Sequence, residues 1–185
     1  DLEGTLAAID HTTKIVFLNS PNNPTGNMAG DEQIKVLVET GALVVVDEAY
    51  YEYADESCVD LVSENENLVV LRTLSKWAGV ASLRVGYGIM SLALVKCLLD
   101  IKQPYNVTAA AEAALLASLD DADYLLGNVA RVVSERGRMF AALEGISGIA
   151  PRPSRGNYIL FGVPDGRAGD SPQQDYLPRA CTRIA

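Results

Sequence analysis

Apolar positions along the chain follow two periods, and the two alternate. Lys14–Asn19 (KIVFLN) is a short apolar run and reads as a buried strand. It stops at Ser20–Gly26 (SPNNPTG), where two prolines, the Asn, Ser and Thr turn formers and a glycine predict a loop. From Asp31 to Thr40 the apolar residues Ile34, Leu37 and Val38 recur at helical spacing, and Gly41 supplies a C-terminal stop. Ala42–Val46 (ALVVV) is apolar at every position, the pattern of a strand covered on both faces in a parallel sheet. Residues 55–67 are polar and acidic and predict a loop with a short helix. Leu68–Leu71 is the next strand, and Val85–Met90 lies close enough behind it to be an antiparallel neighbour. Strand, helix and strand in this order form a right-handed crossover. The fold class expected is therefore α/β, three-layered, with a mostly parallel central sheet.

The second half changes period. Ser91–Lys102 is helical by the spacing of Leu94, Val95, Leu98, Leu99 and Ile101, and Gln103–Asn106 breaks it. Thr108–Leu119 is rich in alanine and leucine, both strong helix formers. The acidic Asp120–Asp123 interrupts, and Tyr124–Leu143 resumes as an amphipathic helix with Arg131, Glu135, Arg136 and Arg138 on its wet side. Gly145–Gly156 is rich in Gly, Pro, Ser and Arg and marks a boundary between a domain of residues 1–145 and one of 146–185. Asn157–Phe161 reads as a strand of the second domain, after which Val163–Ala185 has no clean period.

Composition narrows the function classes. A net charge of −9 argues against nucleic acid and anionic membrane as partners. No run reaches the roughly 18 apolar residues of a membrane span. Cys58, Cys97 and Cys181 are odd in number, widely spaced and without CxxC, which fits a soluble protein in a reducing compartment and offers no metal spacing. With His11 as the one histidine, neither a zinc site nor a Ser-His-Asp triad is readily built.

What stands out is where the functional groups fall. Asn23, Asp47 and Lys76 each come just past consecutive apolar strands. In an open α/β sheet, ligands gather outside the carboxyl ends of the strands. Any one of the three has a plain alternative: an aspartate there caps a helix at least half the time, and a lysine there is usually solvated. Their complementarity is the stronger signal, because pyridoxal phosphate needs this set. Lys76 supplies the primary amine that an aldehyde cofactor requires. A buried Asp47 would keep the pyridine nitrogen protonated. Asn23 and Tyr50 would donate to the ring's phenolic oxygen. Thr73, Ser75 and Arg84 would hold the phosphate, a guanidinium matching it bidentately. Once released, Lys76 would carry the proton taken from the substrate.

The same stretches carry a resemblance. SPNNPTG, VVVDEAYYEY and LRTLSKWAGVASLRVGYG resemble, in order and spacing, the signature segments of fold-type I, class I/II aminotransferases, including the offset of eight from Lys76 to Arg84. RTLSK, LRVGYG and KQPYNV are similar to those of histidinol-phosphate aminotransferases, KQPYNV being of the plant and cyanobacterial type. The resemblance implies pyridoxal 5'-phosphate held by Asn23, Asp47, Tyr50, Thr73, Ser75, Lys76 and Arg84, with Lys76 catalytic. It implies transfer of an amino group from histidinol phosphate to 2-oxoglutarate in histidine biosynthesis, in a homodimer, in cytoplasm or plastid. It also matches Asn157 to an asparagine near the substrate carboxylate. Other readings are another aminotransferase, a phosphothreonine-type decarboxylase, or a truncated non-catalytic paralogue. The family expects an upstream segment that binds phosphate and stacks on the ring, and a substrate-carboxylate arginine in the small domain. These 185 residues carry neither, Pro178 sits where a helix would run, and Ser82 replaces a usual glycine. The resemblance thus implies a fragment: a large domain, 1–145, without its N-terminal part, and an incomplete α+β small domain, 146–185.

Overall fold

The computed structural model describes residues 1–163 and the backbone of strand 180–183. Pro178, and with it much of the expected small domain, lies outside the described residues. In chain order the elements are α1 (Leu2–Ala8), β1 (Ile15–Asn19), α2 (Asp31–Val38), β2 (Leu43–Asp47), α3 (Tyr51–Ala54), β3 (Leu68–Thr73), α4 (Leu74–Trp77) and β4 (Gly86–Ile89). Then come α5 (Leu92–Ile101), α6 (Ala109–Asp120), α7 (Ala122–Glu144), β5 (Ala150–Pro151), β6 (Tyr158–Gly162) and β7 (Ala180–Arg183).

The main sheet runs β1-β2-β3-β4. The first three strands are parallel, with Asn19 opposite Asp47 and Asp47 opposite Leu71, and β4 returns antiparallel with Gly86 opposite Thr73. The carboxyl ends of three strands are thereby level, which brings the residues that follow them to one edge. The apolar run of β2 is buried on both faces. Val44 and Val46 join Leu68 and Val70 of β3 and Ile34, Leu37 and Val38 of α2 in one core, with α1 packed on it. Val45 and Val69, on the opposite face, are buried as well. The second sheet, β5-β6-β7, is antiparallel throughout. Among the described residues no helix is long and apolar enough to cross a membrane.

The α/β class and the mostly parallel sheet agree with expectation, and so does the acidic break, since α6 ends at Asp120 and α7 begins at Ala122. Other expectations are corrected. β3 runs on to Thr73, two residues beyond the apolar run, because β4 pairs with its polar end. α1, capped by the Asp1 carboxylate on the Gly4 N–H (3.1 Å), and the short β5 and β7 carry no strong period of their own. Arg136 is not on a wet face. Its Nη1 donates to the carbonyls of Gly156 (2.7 Å) and Tyr53 (3.3 Å), tying α7 to α3 and to the loop before β6. Arg131 and Arg138 are exposed, and Arg138 pairs with Glu135 one turn away.

Candidate functional site

The level strand ends open a cleft of about 390 Å³ lined by Asp47, Thr73, Ser75, Lys76 and Arg84, with Arg72, Ala81 and Gly86 among its other walls. Asp47 closes β2. Its Oδ1 accepts from the Ala49 N–H (3.0 Å), which turns the chain and holds the carboxylate at the sheet edge. Thr73 closes β3 and caps α4: its Oγ1 accepts from the Ser75 N–H (3.1 Å) and donates to Ser75 Oγ (2.9 Å). One turn of helix then presents Lys76. Lys76 is half-buried, its Nζ lies 5.4 Å from the centre of the Tyr50 ring, and no carboxylate among the described residues pairs with it. An unpaired, partly desolvated amine is what a carbonyl-binding lysine requires.

Arg84 sits in the left-handed region (φ 54°), exposed, with Nη1 donating to the Ala81 carbonyl at 2.9 Å. That bond folds the guanidinium back on the short 81–83 turn, and Arg84 and Ala81 are both walls of the cleft. Asn23 and Tyr50 are not walls of this cleft, and the Tyr50 ring borders it through Lys76 Nζ. Asn23 Nδ2 donates to Tyr50 Oη (2.9 Å), leaving the Tyr50 O–H proton without an acceptor among the described residues. Asn157 stands apart: it is 7 % exposed, its Oδ1 is buried with no hydrogen-bond partner, and it is not a wall of the cleft. Its neighbour Tyr158 packs edge-on against Tyr50, ring centres 5.1 Å apart.

Asp47 is half-buried, not buried as expected. The buried carboxylate is the next residue, Glu48, only 2 % exposed. Successive strand residues point to opposite faces, so Asp47 at the cleft edge sends Glu48 inward. There Glu48 Oε2 accepts from Arg72 Nε and Nη2 (both 3.0 Å), and Oε1 accepts from the Cys58 N–H and Ser57 Oγ (both 2.9 Å). The Arg72 guanidinium lies 3.6 Å over the Tyr51 ring. Neither Glu48 nor Arg72 stood out in the sequence, although the acid-acid step at the end of a buried strand signals that one of the two must turn inside. Tyr53, whose hydroxyl donates to the Lys76 carbonyl (3.1 Å), was also missed.

A larger cavity of about 530 Å³ lies towards α2, walled by Ser20, Glu48, Ser57 and Cys58 among others, and contains none of the expected site residues. Its thiol is no nucleophile, because burial and the adjacent Glu48 push the Cys58 pKa up to about 12.

One further carboxyl is perturbed. Burial pushes the Glu52 pKa up to about 7, only partly opposed by Arg72, and its Oε2 has no hydrogen-bond partner. The folded state therefore holds this proton more tightly than the unfolded chain. Ionisation of Glu52 costs nothing below about pH 4.5, where both states are protonated, and the destabilisation it brings grows through pH 7 to a plateau. Glu52→Gln is expected to raise the urea midpoint relative to the parent chain at pH 8 and to lose that advantage by pH 4. An equal difference at both pH values would show that the proton is not involved.

The model of the family aminotransferase class I and II matches residues 1–179. A histidinol-phosphate aminotransferase of Roseiflexus castenholzii is 47% identical over 91% of this chain and 46% of its own length. A chloroplastic histidinol-phosphate aminotransferase of Nicotiana tabacum is 41% identical over 95% of this chain and 43% of its own. The crystal structure of histidinol-phosphate aminotransferase from Sinorhizobium meliloti in complex with pyridoxal-5'-phosphate superposes with a TM-score of 0.79 at 29% identity, covering 88% of this chain and 46% of that one. The chain spans about half the length of the curated relatives it matches. With the family model matching nearly end to end and its fold shared by a solved relative, the chain belongs to the class I and II aminotransferases.

Proposed function

We propose that this chain is the cofactor-holding half of a pyridoxal 5'-phosphate-dependent aminotransferase. In it, histidinol phosphate gives its amino group to 2-oxoglutarate, yielding imidazole acetol phosphate and glutamate in histidine biosynthesis. The observation that carries the reading is the unpaired Lys76 amine sharing one cleft with Asp47, Thr73, Ser75 and Arg84. The donor set fits the cofactor. It offers an amine for the aldehyde, a carboxylate for the ring nitrogen, the Asn23 amide and Tyr50 hydroxyl for the phenolic oxygen, and two hydroxyls and a guanidinium for the phosphate. When bound, the cofactor supplies an electron sink for bonds at the donor's α-carbon.

The residues do the rest. Lys76 holds the cofactor through its amine and, once displaced, holds and moves at Nζ the proton taken from the donor. Asp47 sustains the positive charge on the ring nitrogen. Thr73 and Ser75, already aligned by their mutual hydrogen bond, and Arg84 anchor the phosphate. We assign Asn157 to the substrate-carboxylate region, where its Nδ2 would donate to the carboxylate, while its buried Oδ1, unpartnered among the described residues, would take a donor of its own.

The two relatives' shared name supports histidinol phosphate as donor. We further propose a homodimer and a domain boundary at residues 145/146. The apolar α5, none of whose residues is buried, and Tyr105, 95% exposed, support further protein packing on that side. For compartment we propose cytoplasm or plastid, the tobacco relative being named chloroplastic.

The substrate is tested by single-turnover half-reactions on a protein of the relatives' full length that carries this segment. Conversion with histidinol phosphate, and not with phenylalanine, aspartate or threonine phosphate, supports the proposal; preference for any of the other three contradicts it. In the same assay Asp47→Asn is expected to fold and bind cofactor yet turn over roughly 10²-fold or more slowly, the order seen when one preorganised electrostatic partner is removed. Near-normal turnover would remove the ring-nitrogen role from Asp47.

A further inference from the structure

We infer that Tyr158 is a positioning residue for the cofactor ring: through one hydroxyl and one ring edge it sets the Asn23 amide and the Tyr50 hydroxyl at a fixed spacing. The inference rests on the cofactor reading proposed above, and it concerns a residue of β6, in the second sheet, next to Asn157.

Tyr158 is 2 % exposed. Its Oη donates to the Asn22 carbonyl at 2.6 Å, one peptide bond before Asn23. The same carbonyl accepts the Gly26 N–H (2.7 Å), so this one acceptor closes the Asn22–Gly26 turn and ties it to β6. The Tyr158 ring meets the Tyr50 ring edge-on, 5.1 Å between centres and 80° between planes, a favoured arrangement of two aromatic rings. Asn23 and Tyr50 are then joined to each other at 2.9 Å. Tyr158, Asn22, Asn23 and Tyr50 thus form a closed circuit, the Asn22–Asn23 link being the peptide bond itself, and two of its members are the groups assigned to the phenolic oxygen. Without Tyr158, the Asn23–Tyr50 hydrogen bond would be the one direct link between these two side chains among the described residues, joining a loop to the residue that precedes α3.

Tyr158 is itself held from several sides. A Cβ on Gly156 would stand 2.4 Å from the Tyr158 ring, so only glycine lets the ring fold over at that point. Arg136 binds the Gly156 carbonyl, and the Arg155 N–H donates to the Gly26 carbonyl at 2.8 Å. Gly26 (φ +79°) packs so tightly on Ser154 that a Cβ would lie 2.6 Å from its Cα. The two loops are locked backbone to backbone, and the Tyr158 phenol reaches from this lock to the Tyr50 ring and to the Asn22 carbonyl that precedes Asn23. A donor pair acts on ring electronics only if its geometry survives cofactor binding, which is the task of a rigid supporting residue.

The test is Tyr158→Phe, which keeps the ring contact and removes the hydroxyl, made in a protein of the relatives' full length that carries this segment. Pyridoxal phosphate is the probe. Three quantities are read: the dissociation constant of the cofactor, the pH midpoint of its visible absorbance band on the protein, and the melting temperature without cofactor. The expected result is cofactor retention about five-fold weaker, the size of one net hydrogen bond, together with a displaced band midpoint. A lowered melting temperature with unchanged retention and midpoint overturns the inference and leaves Tyr158 a packing residue. Absence of any band with the parent protein overturns the cofactor reading and this inference with it. Should Tyr158→Phe not fold, fluorotyrosine at 158 strengthens the donor while keeping its shape. It is expected to move the midpoint in the opposite sense to that of a lost donor, and an unmoved midpoint again overturns the inference.

Discussion

Lys76→Ala is expected to lower transamination by at least about 10⁴-fold, the combined loss of the covalent attachment and of the group that carries the proton. Cofactor should still bind, because Asp47, Thr73, Ser75 and Arg84 line the cleft independently of the lysine side chain. The backbone there should also stay in place, since Tyr53 bonds the residue 76 carbonyl and not its amine. The pattern to look for is therefore retained binding with turnover abolished. Loss of binding and activity together would mean that Lys76 is a structural residue. Retained activity would place the chemistry elsewhere.

The largest expected effect on stability belongs to a residue with no assigned contact to the cofactor. Glu48→Ala leaves the Arg72 guanidinium buried without its carboxylate and leaves the Cys58 N–H without its acceptor. Breaking a buried pair from one side costs about 3–5 kcal/mol, much of a domain's net stability. The urea midpoint should fall accordingly, and the cleft should loosen because Arg72 lies on β3 one residue before Thr73. Replacing both partners, Glu48→Met with Arg72→Met, should recover much of the loss, because no buried charge is then left alone. A single Glu48→Ala within about 0.5 kcal/mol of the parent, as for an ordinary surface change, would mean that the network is ornamental.

Much of the sheet and its edge was legible in the sequence, for a physical reason. Strands buried on both faces read as unbroken apolar runs, as in ALVVV, and the polar groups just past such runs have one place to go. Asp47 and Lys76 could therefore be placed at one edge before any coordinates, whereas Asn23 lines no part of that cleft and bonds Tyr50. What stayed hidden depended on partners distant in sequence. β7 exists by pairing with β6, and Arg136 by reaching two backbone carbonyls far along the chain. Glu48 was masked by Asp47, because a pair of adjacent acids does not say which of them faces inward until the strand's register is known. Tyr158 was read only as one apolar letter in NYILF. Its hydroxyl matters because a separate loop offers it the Asn22 carbonyl, 136 residues away.

The central claim is that one particular amine of this chain holds the cofactor. The chain has five lysines, Lys14, Lys35, Lys76, Lys96 and Lys102, and reduction can tell them apart. The protein is incubated with pyridoxal phosphate, treated with borohydride, digested, and the pyridoxyl-bearing peptide identified by mass. The account predicts a single stoichiometric label on Lys76, lost in Lys76→Ala. A label spread over the other lysines, or fixed on any one of them, would contradict it.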